Sequence, residues 1–155
     1  MKSFETGIEF GNLKIRGALS ITIVNEQMEN SKKIISTEKA PAAIGPYSQA
    51  VECNNMLFIS GQIPVAPETG EIISNRIEDQ TKQVLENMRA ILEKAGYTFE
   101  SIVKTTVFLT DMELFASINE VYATYFTENQ PARSTISVKA LPKGVSVEIE
   151  AIAMK

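Results

Sequence analysis

Two stretches near the end of the chain hold the side chains best suited to chemistry. They are Pro131-Ala132-Arg133-Ser134-Thr135-Ile136-Ser137 and Val147-Glu148-Ile149-Glu150-Ala151-Ile152-Ala153. A guanidinium fork holds anions, and a carboxylate takes up or releases protons. Other catalytic tools are missing: the 155 residues contain no histidine and a single cysteine, Cys53. That excludes His-based acid/base catalysis, Ser-His-Asp and Cys-His nucleophiles, histidine metal ligation, intrachain disulfides and multi-cysteine zinc sites. Carboxylates, Arg, Lys, Tyr, hydroxyls and backbone remain.

Strands must position these groups. The two runs are rich in β-branched residues and flank Pro142-Lys143-Gly144, which reads as a β-hairpin. Side chains alternate along a strand, so Ile136, Val138 and Ala140 share one face with Val145, Val147, Ile149, Ala151 and Ala153. Arg133, Thr135, Ser137, Glu148 and Glu150 are then expected on the other. In that register Arg133 lies four or six residues from Glu148, roughly 13–20 Å along the strand. A pocket using both therefore forms more easily between subunits than within one.

The size suits one domain, and a net charge of −4 lacks the basic footprint of a nucleic-acid binder. No apolar run reaches the roughly 18 residues of a membrane span, and the expected location is cytoplasmic. Residues 1–31 differ in character from the rest. They read as a tag, a mis-assigned start or a peripheral strand, ahead of a domain over 32–155.

Along that domain, Ile34-Ile35 marks a short strand, and Asn54-Asn55 joins two more in a hairpin. Ile77, Thr81, Val84, Leu85, Met88, Ile91, Leu92 and Ala95 recur at helical spacing. Asn75 with Glu78 predicts a capping box at the start of this helix, and Gly96 its C-terminal end. A strand over Ile102–Leu109 precedes a second helix over roughly Glu113–Thr127. The order β-β-β-α-β-α-β-β predicts an α+β fold, a mixed sheet with two helices on one face.

Four segments together resemble one family: Ala42-Ala43-Ile44-Gly45-Pro46-Tyr47-Ser48-Gln49, Ile59-Ser60-Gly61-Gln62-Ile63-Pro64, Pro131-Ala132-Arg133-Ser134 and Glu148-Ile149-Glu150-Ala151-Ile152-Ala153. Their order and spacing from about Lys32 to Met154 resemble the Rid family, also called the YjgF group. The resemblance implies a chorismate-mutase-like domain assembled as a homotrimer with active sites in the inter-subunit clefts. It implies hydrolysis of reactive enamine/imine intermediates, such as 2-aminoacrylate/2-iminopropanoate and 2-iminobutanoate, to 2-oxo acids and ammonia. Arg133 would hold the substrate carboxylate and Glu148 would position the water and move protons. Tyr47, Ser60, Gly61, Asn119 and Thr135 match the substrate-binding positions. Thr135 stands where some relatives carry cysteine. No metal or other cofactor is needed, because an iminium carbon is already electrophilic. Two rival readings accompany this one: an endoribonuclease or translation inhibitor, and a non-catalytic ligand-binding or holdase trimer.

Overall fold

The computed structural model describes residues 32–155. The elements are β1 Lys33–Ile35, β2 Ala50–Cys53, β3 Met56–Gln62, α1 Ile77–Ala95, β4 Ile102–Leu109, α2 Phe115–Ala123, β5 Ala132–Ser137 and β6 Val147–Met154. They follow the predicted order. Six strands form one mixed sheet in the order β1-β2-β3-β6-β4-β5. All neighbouring pairs are antiparallel except β4 with β5, which is parallel. Among the described residues no helix is long and apolar enough to cross a membrane. The expectations for residues 1–31 lie outside the described residues.

One sheet face carries both helices. Leu57, Ile59, Val107, Leu109, Val147, Ile149, Ala151 and Ala153 are buried there against the predicted α1 stripe, from Val84 to Leu92, and against Ile118 and Tyr122 of α2. Each large apolar side chain so enclosed contributes on the order of 1.5–3 kcal/mol. Gly96 ends α1 in the left-handed region, at φ 75°, where a Cβ is disfavoured. Asn54 and Asn55 turn the β2–β3 hairpin with φ of 50° and 60°, a conformation asparagine tolerates better than most residues.

The expected hairpin between β5 and β6 does not form. β6 sits between β3 and β4, and β5 lies at the sheet edge, on the far side of β4. Apolar content explains the difference. Val147, Ile149, Ala151 and Ala153 are all buried, which suits a central strand. β5 has no buried residue, and Ile136, expected in the core, is 47% exposed. The nine residues 138–146 also make a longer link than a tight hairpin turn.

The helix starts differ too. Asn75 does not cap α1: Arg76 occupies the cap position and supplies no side-chain hydrogen bond. Ser74 Oγ instead accepts from the Arg76 amide at 3.0 Å and donates to Asp79 at 2.9 Å. The second helix is shorter than expected, Phe115–Ala123, after a 3₁₀ turn over Met112–Leu114. Asp111 caps that turn, its carboxylate accepting from the Glu113 amide at 2.9 Å.

Candidate active site

The predicted residues fall into two groups. The first surrounds Glu148, which β6 presents on the sheet face that the helices leave uncovered. Beside it β3 carries a bulge: between Ile59↔Ala151 and Gln62↔Ile149, three steps on β3 oppose two on β6. Gly61 lies in this bulge. A Cβ at Gly61 would collide with the Glu148 carboxylate, since it would stand 2.7 Å from Cδ. With glycine the backbone passes close to this carboxyl group, and a side chain at position 61 would displace it. The Gln62 side-chain amide donates to Ser60 O at 3.0 Å, which fixes the bulge.

Ser60 joins the bulge to the preceding loop. Its hydroxyl donates to Ser48 O at 2.7 Å, and its amide donates to Gln49 O at 3.0 Å. Buried Gln49 braces the same loop, donating to the carbonyls of Thr37, Ala40 and Pro41 at 2.8–3.1 Å. Tyr47, half exposed, accepts from the Ile44 amide at 3.3 Å, leaving its phenol proton for another acceptor. Tyr47 and Gly61 line a recess of about 60 Å³.

Among the described residues the Glu148 side chain has no salt-bridge or hydrogen-bond partner. Partial burial pushes its carboxyl above the ordinary value, and the neighbouring Glu150 carboxylate raises it further. A raised carboxyl suits a group that must accept and then return a proton near neutral pH.

The second group surrounds Arg133 on the edge strand β5. Its guanidinium stacks on Tyr122 at 4.7 Å and on Phe115 at 5.6 Å, both from α2. The Tyr122 hydroxyl is paired with Thr105 Oγ1 at 2.9 Å, so this ring has a fixed position. Burial raises the Tyr122 phenol above its ordinary value, while the Thr105 hydrogen bond and the Arg133 charge oppose the rise. Asn119 is four residues after Phe115 and three before Tyr122, on the same helical stripe. Thr135 is half-buried two residues beyond Arg133. Among the described residues Arg133 has no carboxylate partner, so its fork is open to an outside anion.

Sequence reasoning placed Arg133 and Glu148 on one face, and the register corrects this. Arg133 aligns with buried Thr105, and Glu148 aligns with Phe108. Thr105 belongs to the helix side and Phe108 to the open side, so the two charged groups project from opposite faces. The error came from reading face parity through a hairpin when β4 stands between the strands. The separation survives: three residues along and two strands across give roughly 14 Å.

Gly61 meets Glu148, with Ser60 next to Gly61 on β3 and Tyr47 sharing a recess with Gly61; Arg133 stacks on α2, the helix that carries Asn119, and Thr135 follows Arg133 on β5. One subunit does not unite the two sets. A concavity of about 930 Å³ beside Thr37, Lys39 and Lys94 includes Tyr47 but neither charged group. Sequence reasoning missed buried Gln49 and Gln62, which nothing in their local pattern marks out, and the aromatic seat of Arg133, which needs β5 placed beside α2.

A family model described as "Endoribonuclease L-PSP" matches residues 37–155. The chain belongs to this family, the Rid/YjgF family. The mouse protein named 2-iminobutanoate/2-iminopropanoate deaminase is 50% identical over 124 residues, covering 80% of this chain and 92% of that protein. A RutC family protein of Pyrococcus horikoshii is 59% identical over 124 residues, covering 80% of this chain and 98% of that protein. Among solved structures, Escherichia coli TdcF with bound serine has a TM-score of 0.76 at 51% identity, covering 79% of this chain and 98% of that one.

Proposed function

We propose that this protein is an imine deaminase, hydrolysing 2-imino acids such as 2-iminopropanoate and 2-iminobutanoate to 2-oxo acids and ammonia. The observation that carries the reading is the 50% identity to the mouse deaminase across nearly its whole length. The two groups of side chains supply a matching chemistry. Arg133, seated on Phe115 and Tyr122, takes the substrate carboxylate in a bidentate pair. Asn119 and Thr135 flank that end of the substrate. Glu148, aided by Ser60 and Tyr47, holds a water against the C=N carbon.

Each proton has a place. The water oxygen bonds to the iminium carbon while Glu148 accepts a water proton. Glu148 returns it to nitrogen; as the C–N bond breaks and C=O forms, Glu148 takes up the hydroxyl proton and passes it to the departing ammonia, which leaves as ammonium. Catalysis is positioning plus one proton relay, which needs no histidine.

The working unit is a homotrimer, in which the Arg133 group of one subunit meets the Glu148 group of its neighbour. The roughly 14 Å gap and the opposite faces within one chain support this assembly. The ribonuclease reading is not favoured: the family description names that activity, but the chain has a net charge of −4 and no histidine.

The test couples a pyridoxal-phosphate threonine dehydratase to detection of 2-oxobutanoate. The protein should accelerate product release, and Arg133→Ala should abolish the acceleration. No acceleration by the wild-type protein would remove the deaminase reading.

A further inference from the structure

Glu148 has unlike neighbours on its two sides. Towards β3 stands Gly61, which has no side chain. Towards β4 stands Phe108, its direct partner in the antiparallel register. Directly opposed residues have Cβ atoms about 4.5–5.5 Å apart, so whatever touches the carboxylate passes within van der Waals reach of the phenyl ring. The apolar row continues outward, because Phe108 is also the register partner of Ile136 on β5. Phe108 is half-buried and Ile136 is 47% exposed, on the face without helices. The next row is polar, with Thr106 opposite Glu150. The carboxylate therefore stands between a bare backbone and a single apolar row.

We infer that Phe108, backed by Ile136, is the specificity-determining surface against which the substrate's own side chain packs. The inference rests on the deaminase reading, in which Glu148 directs water at the C=N carbon. The side chain is bonded to that same carbon, so it must lie beside Glu148. Gly61 gives it nothing to pack against, whereas the phenyl ring does. The substrate class is 2-imino acids with short alkyl side chains. A polar or charged side chain would be desolvated against phenyl and isoleucine without a partner, and a branched one would meet the ring.

The experiment compares 2-imino acids generated in place by an amino acid oxidase from alanine, 2-aminobutanoate, leucine and glutamine. Values of kcat/KM are measured for the wild type, Phe108→Ala, Phe108→Leu and Phe58→Ala, with the size of each variant checked in solution. The wild type should favour the methyl and ethyl substrates. Phe108→Ala should shift the ethyl-to-isobutyl ratio towards isobutyl by about 10-fold, the scale expected when a hydrophobic pocket loses apolar contacts. Phe108→Leu should fall between. Phe58, on the same face but opposite Ile152, should leave the ratio unchanged on substitution. An active wild type whose ratio stays fixed in both Phe108 variants would overturn the inference and leave the deaminase reading standing; a uniform loss on all substrates counts as a fixed ratio. A wild type that hydrolyses none of these imines removes the reading and this inference with it.

Discussion

The surroundings of Glu148 and of Arg133 are built in opposite ways. Glu148 lies against backbone, on a central strand, beside a bulge held by Ser60 and the Gln62 amide. Partial burial and Glu150 push its carboxyl upward. Arg133 stands exposed on an edge strand and rests on two aromatic faces. A proton carrier is tuned by how far water is removed from it, so it benefits from a shaped, partly dry seat. A guanidinium that grips a carboxylate needs its charge and its planar fork, which stacking orients while leaving the donors free. The surroundings of Glu148 are fixed by the main chain, and those of Arg133 by side chains.

The sharpest ways to break this contrast disturb the seat of Glu148 and the fork of Arg133 in turn. Gly61→Ala drives a methyl into the Glu148 carboxylate and should lower kcat by 10²-fold or more, the usual scale for losing a positioned acid/base group. Far-ultraviolet circular dichroism should show the fold retained. Arg133→Lys keeps the charge but loses the fork, so KM should rise about 10-fold with a smaller change in kcat, measured in the coupled dehydratase assay.

The pH dependence sharpens the comparison further. In the proposed mechanism Glu148 works as a carboxylate, so kcat/KM should fall as pH drops through its raised value. Glu150→Gln removes a like charge and should move that acid limb to lower pH. Stability runs the other way. A carboxyl raised in the folded state favours folding while protonated, and this advantage is lost as pH rises through the folded value. Glu148→Gln should therefore raise the thermal midpoint near neutral pH and leave it unchanged below the ordinary carboxyl range, although it removes activity. The smallest effect is expected from Tyr122→Phe. It deletes the buried hydrogen bond to Thr105 but keeps the ring under Arg133, costing about 1 kcal/mol of stability with little change in KM.

Local patterns were readable in the sequence wherever one element determined its own shape. The α1 stripe, the Asn54-Asn55 turn and the bounds of β4 all follow from spacing and residue type within a few neighbours. Pairing between distant strands was not readable in the same way. β5 and β6 are consecutive and both rich in β-branched residues, yet β4 separates them, and that choice depends on which strand offers more apolar surface to the helices. One wrong pairing reversed the face assigned to Arg133, because the side-chain period is two. At the start of α1 Ser74 and Asn75 are both good capping types; Ser74, whose carbonyl accepts from the Gln80 side chain at 3.0 Å, is the one whose hydroxyl bonds the Arg76 amide. The motifs named Ser60 and Gly61 alongside Glu148 as a set. Their mutual positions came only with the bulge.

Gly61 and Glu148 are far apart in the chain, yet neither is free to drift without the other. Any side chain at position 61 needs the room that the carboxylate already fills. A change there displaces the carboxylate unless position 148 also shortens, as in a paired Gly61→Ala and Glu148→Asp replacement. A descendant that keeps the carboxylate where it now stands must therefore keep glycine at position 61.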